Sequence, residues 1–369
     1  MKMGGPGTIL LAAGGTGGHL FPAEALASVL IARGYDVHLV TDERASQYGG
    51  MFDVAHLHIV PSETVRSKSP LALARTGATL ALGLAKALML MRRLKPALVV
   101  GFGGYPTLPP LYAASLLHIP SIVHDANAVM GRANRALSSR VNAIATSFPG
   151  ILDQQPMLAA KATLTGNPMR PAILKAAQQT YAAPELGGNL RLLVFGGSQG
   201  ARIMADIVPP AIERLEPALW NRLILVQQVR AEDMPRVRDV YARLKIKAEL
   251  APFFTDLPQR LADAHLVVSR SGAGTVAELA AIGRPSILVP LPGALDQDQF
   301  ANAGVLDAVG GAIRISQAEF TPDRLAAEIS ALAAEPARLA EMAAAARKAG
   351  RLDAAERLAD LVEKVAREG

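Results

Sequence analysis

Residues 9–30 read I-L-L-A-A-G-G-T-G-G-H-L-F-P-A-E-A-L-A-S-V-L, and residues 190–202 read L-R-L-L-V-F-G-G-S-Q-G-A-R ahead of a second apolar helix pattern. Each is a short buried strand, a glycine-rich turn and a helix. One opens the chain and the other begins just past its middle, so each is expected to start its own doubly wound parallel sheet. Further strand-like runs lie at 36–40, 97–100, 121–124, 143–146, 223–227, 266–269 and 286–290, with helix-length apolar patterns between most of them. That alternation predicts an α/β fold with one parallel sheet per half. A seam falls between Thr165 and Asn189, where Gly166-Asn167-Pro168 breaks one pattern and 184–189 forms a loop before the next strand.

The length of 369 residues agrees with two domains of comparable size. Half the residues are apolar and only 4% aromatic, a globular chain built on Ala, Leu and Val. The net charge of +6 is thinly spread and favours nucleotide phosphates or anionic lipids as partners. No nucleic-acid motif accompanies it, so no nucleic-acid partner is expected. The absence of cysteine excludes disulfides, thiolate zinc sites and a cysteine nucleophile. The apolar run 8–13 enters glycines directly, with no charged n-region or cleavage site, and reads as a strand, not a signal peptide. The stretch Leu71 to Met91 approaches membrane-span length but is interrupted by Arg75 and Lys86, and Arg93 follows within the helix expected over Leu71 to Lys95. Their spacings of eleven and seven put them on one helical stripe. We expect a surface helix resting on an anionic membrane, not a span.

In open α/β sheets ligands bind beyond the carboxyl ends of the strands. Four turns there are glycine-rich: 14–19, 101–105, 196–202 and 269–278. Each reads alone as a tight turn or as a cradle of backbone N–H groups for an anion. Four in one chain, divided between the halves, point to a diphosphate site in a cleft between two domains. A dinucleotide fingerprint fails at Leu20, where Gly or Ala is needed, although Asp42 stands where a ribose-binding acid could follow. No Walker A loop is present. His19 is a cap, a packing residue or a general base. His124 reads as structural, and Asp125 and Asn127 either meet substrate hydroxyls or cap a turn. Glu278, one turn past Gly274, could accept bonds from ribose hydroxyls or be a solvated helix acid. Asp296-Gln297-Asp298 superficially matches a metal-binding D-x-D; we favour a helix start.

Taken in order, G-G-T-G-G-H at 14–19, F-P at 21–22, G-G-Y at 103–105, H-D-A-N at 124–127, G-N-P-M-R at 166–170, G-G-S-Q-G-A-R at 196–202, R-S-G-A-G-T-V-A-E at 270–278 and D-Q-D-Q-F-A-N-A at 296–303 resemble the bacterial MurG family. The motifs are weak singly and strong together, and they cover nearly the whole chain. The resemblance implies a GT-B type fold of two Rossmann-like domains. Residues 1–168, completed by a C-terminal helix at about 353–369, would bind acceptor and membrane; residues 169–352 would bind the nucleotide sugar. It also implies inverting transfer of N-acetylglucosamine from UDP-GlcNAc to the lipid-linked muramoyl-pentapeptide (lipid I), giving lipid II, with no metal and no cofactor. The enzyme would work as a peripheral protein on the cytoplasmic face of the inner membrane, with the cell-wall and division machinery as candidate partners. Carried over by motif, Thr16, Gly17, Gly18 and Asn127 would contact sugar and diphosphate. Arg170, Ser198, Phe254, Ala273, Gly274, Thr275, Val276, Ala277 and Glu278 would hold phosphate, uracil and ribose, and Gln299 would reach the GlcNAc hydroxyls. Tyr105 would face the acceptor. His19 is the first candidate base and Asp125 the second. Four positions depart from the family's pattern. Asp125-Ala126 replaces Glu-Gln, Asp298 replaces an amide, and Phe254 replaces an aliphatic residue, so Phe254 would offer the base only its backbone. Two rival readings are a GT-B-fold UDP-GlcNAc 2-epimerase and a non-catalytic nucleotide-binding scaffold at the membrane.

Overall fold

The structure is a computed structural model that describes residues 7–14, 16–43, 56–62, 70–197, 200–294 and 297–368, without the side chains of His56 and 70–75. The chain divides into two compact units, one of 1–170 with 352–369 and one of 171–351.

The first unit is built on strands β1 (Thr8–Ala12), β2 (Asp36–Thr41), β3 (His56–Ile59), β4 (Leu98–Gly101), β5 (Ser121–Asp125), β6 (Ala143–Thr146) and β7 (Ala162–Leu164). They form one sheet in the order β3-β2-β1-β4-β5-β6-β7, with every pairing parallel. A parallel sheet needs helices on both faces, which is why its central strands read as unbroken apolar runs. On one face Ile9, Leu11, Val100 and Ile122 pack with Leu20, Leu26 and Leu30 of helix α1 (Gly17–Ala32) and with Leu358, Val362 and Val365 of the C-terminal helix Ala354–Glu368. The other face sets Leu10, Val40 and Val99 against Ala87 and Met91 of α2 (Pro70–Leu94) and Ala113 and Ala114 of α3 (Leu108–Leu116). Gly83 lets α2 lie close, since a Cβ there would come within 2.3 Å of the Pro61 carbonyl. The C-terminal helix is tied to α1 by Arg33, which pairs with Asp360 at 2.7 Å and Glu363 at 3.2 Å.

The second unit repeats the plan with β8 (Leu190–Phe195), β9 (Leu223–Gln228), β10 (Ala248–Ala251), β11 (Leu266–Ser269), β12 (Ser286–Leu288) and β13 (Ala312–Arg314), in the order β10-β9-β8-β11-β12-β13. All its pairings are parallel too. The sequence reading did not find β3, β7, β10 or β13, and these four are the edges of the two sheets.

The order reverses between β1 and β4 in one sheet and between β8 and β11 in the other, which is where doubly wound sheets bind ligands. Because Ala12 is in register with Gly101, and Phe195 with Ser269, glycine turns far apart in sequence come together in pairs.

Candidate functional site

The turn after β1 and the turn after β4 enclose one side chain, His19. Gly14 N–H donates to the Gly103 carbonyl at 3.2 Å, closing the two loops on each other. His19 Nδ1 lies 2.8 Å from the Phe102 carbonyl. A carbonyl only accepts, so Nδ1 carries a proton, and in the neutral ring Nε2 is the lone-pair nitrogen. A Cβ on Gly14 would come within 3.1 Å of the ring, and one on Gly103 or Gly104 within 3.3 and 3.4 Å of it. Gly103 and Gly104 also have φ of +88° and +80°, which only glycine adopts at little cost. Tyr105 follows, half-buried at the start of a short 3-10 turn.

Thr16 stands at the N-cap of α1 in extended conformation, and its side chain makes no capping bond. Thr16 and Gly18 are exposed, and a Cβ on Gly18 would meet nothing within 4 Å. The leading N–H groups of a helix lack intrahelical acceptors, so this end is suited to an anion. Gly15 lies outside the described residues.

Asp125, at the end of β5, is 1% exposed and fully engaged. Its Oδ1 accepts from Asn127 N–H at 3.1 Å, and its Oδ2 accepts from Gly131 N–H at 2.8 Å and from Asn134 Nδ2 at 3.0 Å. Burial pushes its carboxyl up, while these donors and Arg135 pull it down. A carboxylate so enclosed holds the 126–131 loop, in which Asn127 sits half-buried. His124, fully buried, lies with Nε2 3.0 Å from the Gly166 carbonyl and its ring tilted against Phe102. Burial pushes it down to about 4, keeping it neutral. Asn134, which joins Asp125 to the His124 carbonyl at 3.0 Å, escaped the sequence reading. Nothing local marks it; it meets both partners across a loop.

Arg170 was expected on the nucleotide side, but it lies with the first unit, its guanidinium 4.1 Å from the centre of the Phe21 ring. Glu24, one turn beyond Phe21, feels it: burial raises that carboxyl and Arg170 lowers it.

In the second unit the helix Ala273–Ile282 begins after Gly272 with no side-chain cap. Ala273, Gly274 and Thr275 are half-buried at its open end, whereas Val276 and Ala277 point into the core. A Cβ on Gly272 or Gly274 would meet nothing within 4 Å. Glu278 is half-buried one turn along. Phe254 is buried, with the Arg260 guanidinium 4.4 Å above its ring, so its side chain is spent on packing. Gln299 Oε1 accepts from Leu291 N–H at 3.0 Å, which leaves its NH2 to donate. Asp298 is the first residue of the helix Asp298–Asp307, after Gln297 at the N-cap, and accepts from the adjacent Gln299 N–H at 2.7 Å. Ser198 and Asp296 lie outside the described residues.

Lys86 and Arg93 are exposed on α2, and so are Leu82 and Met89, 54% and 61% exposed. Arg75 falls on the same helix, among the residues whose side chains are not described. Among the described residues no helix is long and apolar enough to cross a membrane.

Comparison with known proteins adds a second line of argument. Residues 9–146 match the glycosyltransferase family 28 N-terminal domain and residues 191–358 its C-terminal domain. A protein of Bradyrhizobium diazoefficiens named UDP-N-acetylglucosamine–N-acetylmuramyl-(pentapeptide) pyrophosphoryl-undecaprenol N-acetylglucosamine transferase is 74% identical, over 97% of this chain and 98% of its own. A protein of Nitrobacter hamburgensis with the same name is 72% identical, over 97% of each. Among solved structures, MurG of Acinetobacter baumannii superposes with a TM-score of 0.79 at 28% identity, covering 97% of this chain and 100% of that one. Two parallel α/β units with these neighbours make a GT-B type fold, and the chain belongs to glycosyltransferase family 28, within it to the MurG family.

Proposed function

We propose that the chain transfers N-acetylglucosamine from UDP-GlcNAc to the 4-hydroxyl of the muramoyl sugar of lipid I, giving lipid II with inversion at the anomeric carbon. The observation that carries this is the identity above 70% over nearly the full length to relatives named for that transfer. Inversion in one displacement needs a base at the acceptor hydroxyl and charge stabilisation at the leaving UDP. His19 is the base: with Nδ1–H held by the Phe102 carbonyl, Nε2 takes the proton. Asp125 supports the loop carrying Asn127. Residues 1–168 with 353–369 take the acceptor, near Tyr105, and residues 169–352 take the donor. There the open N-terminus of the 273–282 helix and Ser198 stabilise the diphosphate in place of a metal ion, with Arg170, which packs on Phe21 of the first unit, adding its charge. Glu278 accepts from the ribose, the backbone at Phe254 meets the uracil, and Gln299 donates to the GlcNAc hydroxyls.

The lipid-linked acceptor has to be met at a bilayer. Lys86 and Arg93, with Arg75 on the same stripe and Leu82 and Met89 beside them, suit the anionic cytoplasmic face of the inner membrane. Each basic residue there contributes about 1 kcal/mol. The cell-wall and division machinery are the partners this location suggests. Replacing Arg75 and Lys86 by Glu should abolish binding to anionic vesicles while transfer to a short-chain soluble acceptor survives; unchanged, salt-insensitive vesicle binding would sink this assignment.

The decisive assay is transfer of labelled N-acetylglucosamine from the nucleotide sugar to lipid I, with and without chelator. Product formed equally in both supports the reading. Turnover of UDP-GlcNAc without any lipid would instead support an epimerase, and activity lost to chelator and restored by Mg²⁺ or Mn²⁺ would move the chemistry to Asp296 and Asp298.

A further inference from the structure

Arg270 follows β11 and is only 8% exposed; burial pushes its pKa down, and among the described residues no carboxylate pairs with it. Its guanidinium donates through Nη1 to the Val289 and Pro290 carbonyls at 3.1 and 3.0 Å, and through Nη2 to Gln317 Oε1 at 2.5 Å. Burying a cation against neutral acceptors alone is costly, so the arrangement calls for a reason beyond packing. A rigid planar fork is the group suited to holding a backbone segment and a side-chain amide at once.

The held segment continues into Leu291, whose N–H fixes Gln299 Oε1 at 3.0 Å. On the other side Ser271, next to Arg270, donates its hydroxyl to the Gln299 carbonyl at 2.8 Å, and Asn302 Nδ2 donates to the Ser271 carbonyl at 3.2 Å. Ser271 and Asn302 are fully buried. Gln299 is therefore gripped at its backbone and at its side-chain oxygen by groups that lead back to Arg270, and only its NH2 is left to present.

We propose that Gln317 and Arg270 form a brace that sets selectivity for the donor sugar, as positioning residues acting through 289–291 on Gln299. The inference rests on the reading of Gln299 as the contact to the sugar hydroxyls. An amide tells an equatorial from an axial hydroxyl only while it is held to a fraction of an ångström. Once Gln317 lets go, the guanidinium no longer fixes 289–291, and the Gln299 NH2 serves either epimer. The nucleotide half of the donor is untouched, because it is held at the 273–282 helix.

The test measures kcat/KM for UDP-GlcNAc and for its C4 epimer UDP-GalNAc, together with inhibition by UDP. Gln317→Leu should lower the preference for UDP-GlcNAc by about tenfold or more, since small misplacements of a positioning group cost that much. UDP inhibition should stay within about twofold of wild type, because those contacts do not pass through Gln299. Gln317→Glu, which still offers Arg270 an acceptor, should restore the wild-type preference. Should Gln317→Leu fail to fold, Arg270→Lys carries the same test, keeping the charge without the fork. An unchanged preference, or an equal loss for both donors and for UDP, overturns the brace if Gln299→Ala alters the preference. If Gln299→Ala leaves the preference unchanged, the reading of Gln299 falls, and the brace with it.

Discussion

At the turn after β1 a Cβ on Gly14 would press on the His19 ring at 3.1 Å, whereas at the turn after β11 a Cβ on Gly272 or Gly274 would meet nothing within 4 Å. Both turns open helices that no side chain caps. In the first, Gly14, with Gly103 and Gly104 of the facing turn after β4, makes room for the protein's own imidazole, which is wedged between the two loops and oriented by a backbone carbonyl. In the second, no atom of the described residues comes within 4 Å of where a Cβ would stand, and ordinary φ values make no demand for glycine. The first turn fixes an imidazole of the protein itself, and the second leaves open space at a helix N-terminus, where we propose the diphosphate is held.

The largest expected effect comes from breaking the first turn at its centre. His19→Ala should lower kcat by about 10² to 10⁴ with the donor KM little changed, the usual scale for losing a general base. Turnover near wild type would leave His19 a packing residue. Gly104→Val should move in the same direction, because its φ of +80° and the ring both oppose a side chain.

Next comes the support behind that turn. His124 falls from 6.5 to about 4 on folding. Between those values the unfolded chain binds a proton that the folded state refuses. Its contribution is therefore complete above pH 6.5 and lost as pH falls toward 4, by up to about 3 kcal/mol. Asp125, shifted upward by burial, acts in the opposite sense, contributing stability that is lost as pH rises through its raised pKa. Urea unfolding of wild type and His124→Phe across this range isolates the histidine, and equal pH slopes for the two proteins would refute the claim.

On the side of the second turn, Glu278→Ala should raise the donor KM about ten- to a hundredfold with a smaller change in kcat. A hydrogen bond to a charged group contributes roughly 1.5–3 kcal/mol, and ribose contacts change little on the way to the transition state. Unaltered donor binding would remove Glu278 from the site. The smallest effect sharpens the contrast most. Gly274→Ala should leave the fold as stable or more stable by about 0.4–1 kcal/mol, since alanine suits a helix and nothing blocks it, yet weaken UDP binding. Equal affinity by calorimetry would mean that the space beside Gly274 is empty for no reason of function.

The nine strands visible as apolar runs occupy the interior of the sheets, while the four that escaped lie at the edges. H-L-H-I at β3, A-E-L-A at β10 and A-I-R at β13 are short, mixed and partly exposed. An edge strand has one neighbour and an open side, so burial never imposes the continuous apolar pattern that betrays a central strand. The site divides along the same line. The turns after β1, β8 and β11 are legible because strand, glycines and helix are contiguous. His19's dependence on Phe102, and Gln299's on Leu291 and Ser271, are contacts across the fold and leave no local trace.

Composition and local pattern alone determined that this chain builds two parallel α/β sheets with glycine turns at their carboxyl ends, because strand burial and the φ demands of a turn are written in neighbouring residues. Only tertiary structure decided which turns meet, that His19 carries its proton on Nδ1, that Asp125 is spent on its own loop, and that Arg170 packs on Phe21. Each of these follows from strand order. β1 lies beside β4 and β8 beside β11, and no short-range preference specifies which of several equally apolar strands will be the neighbour.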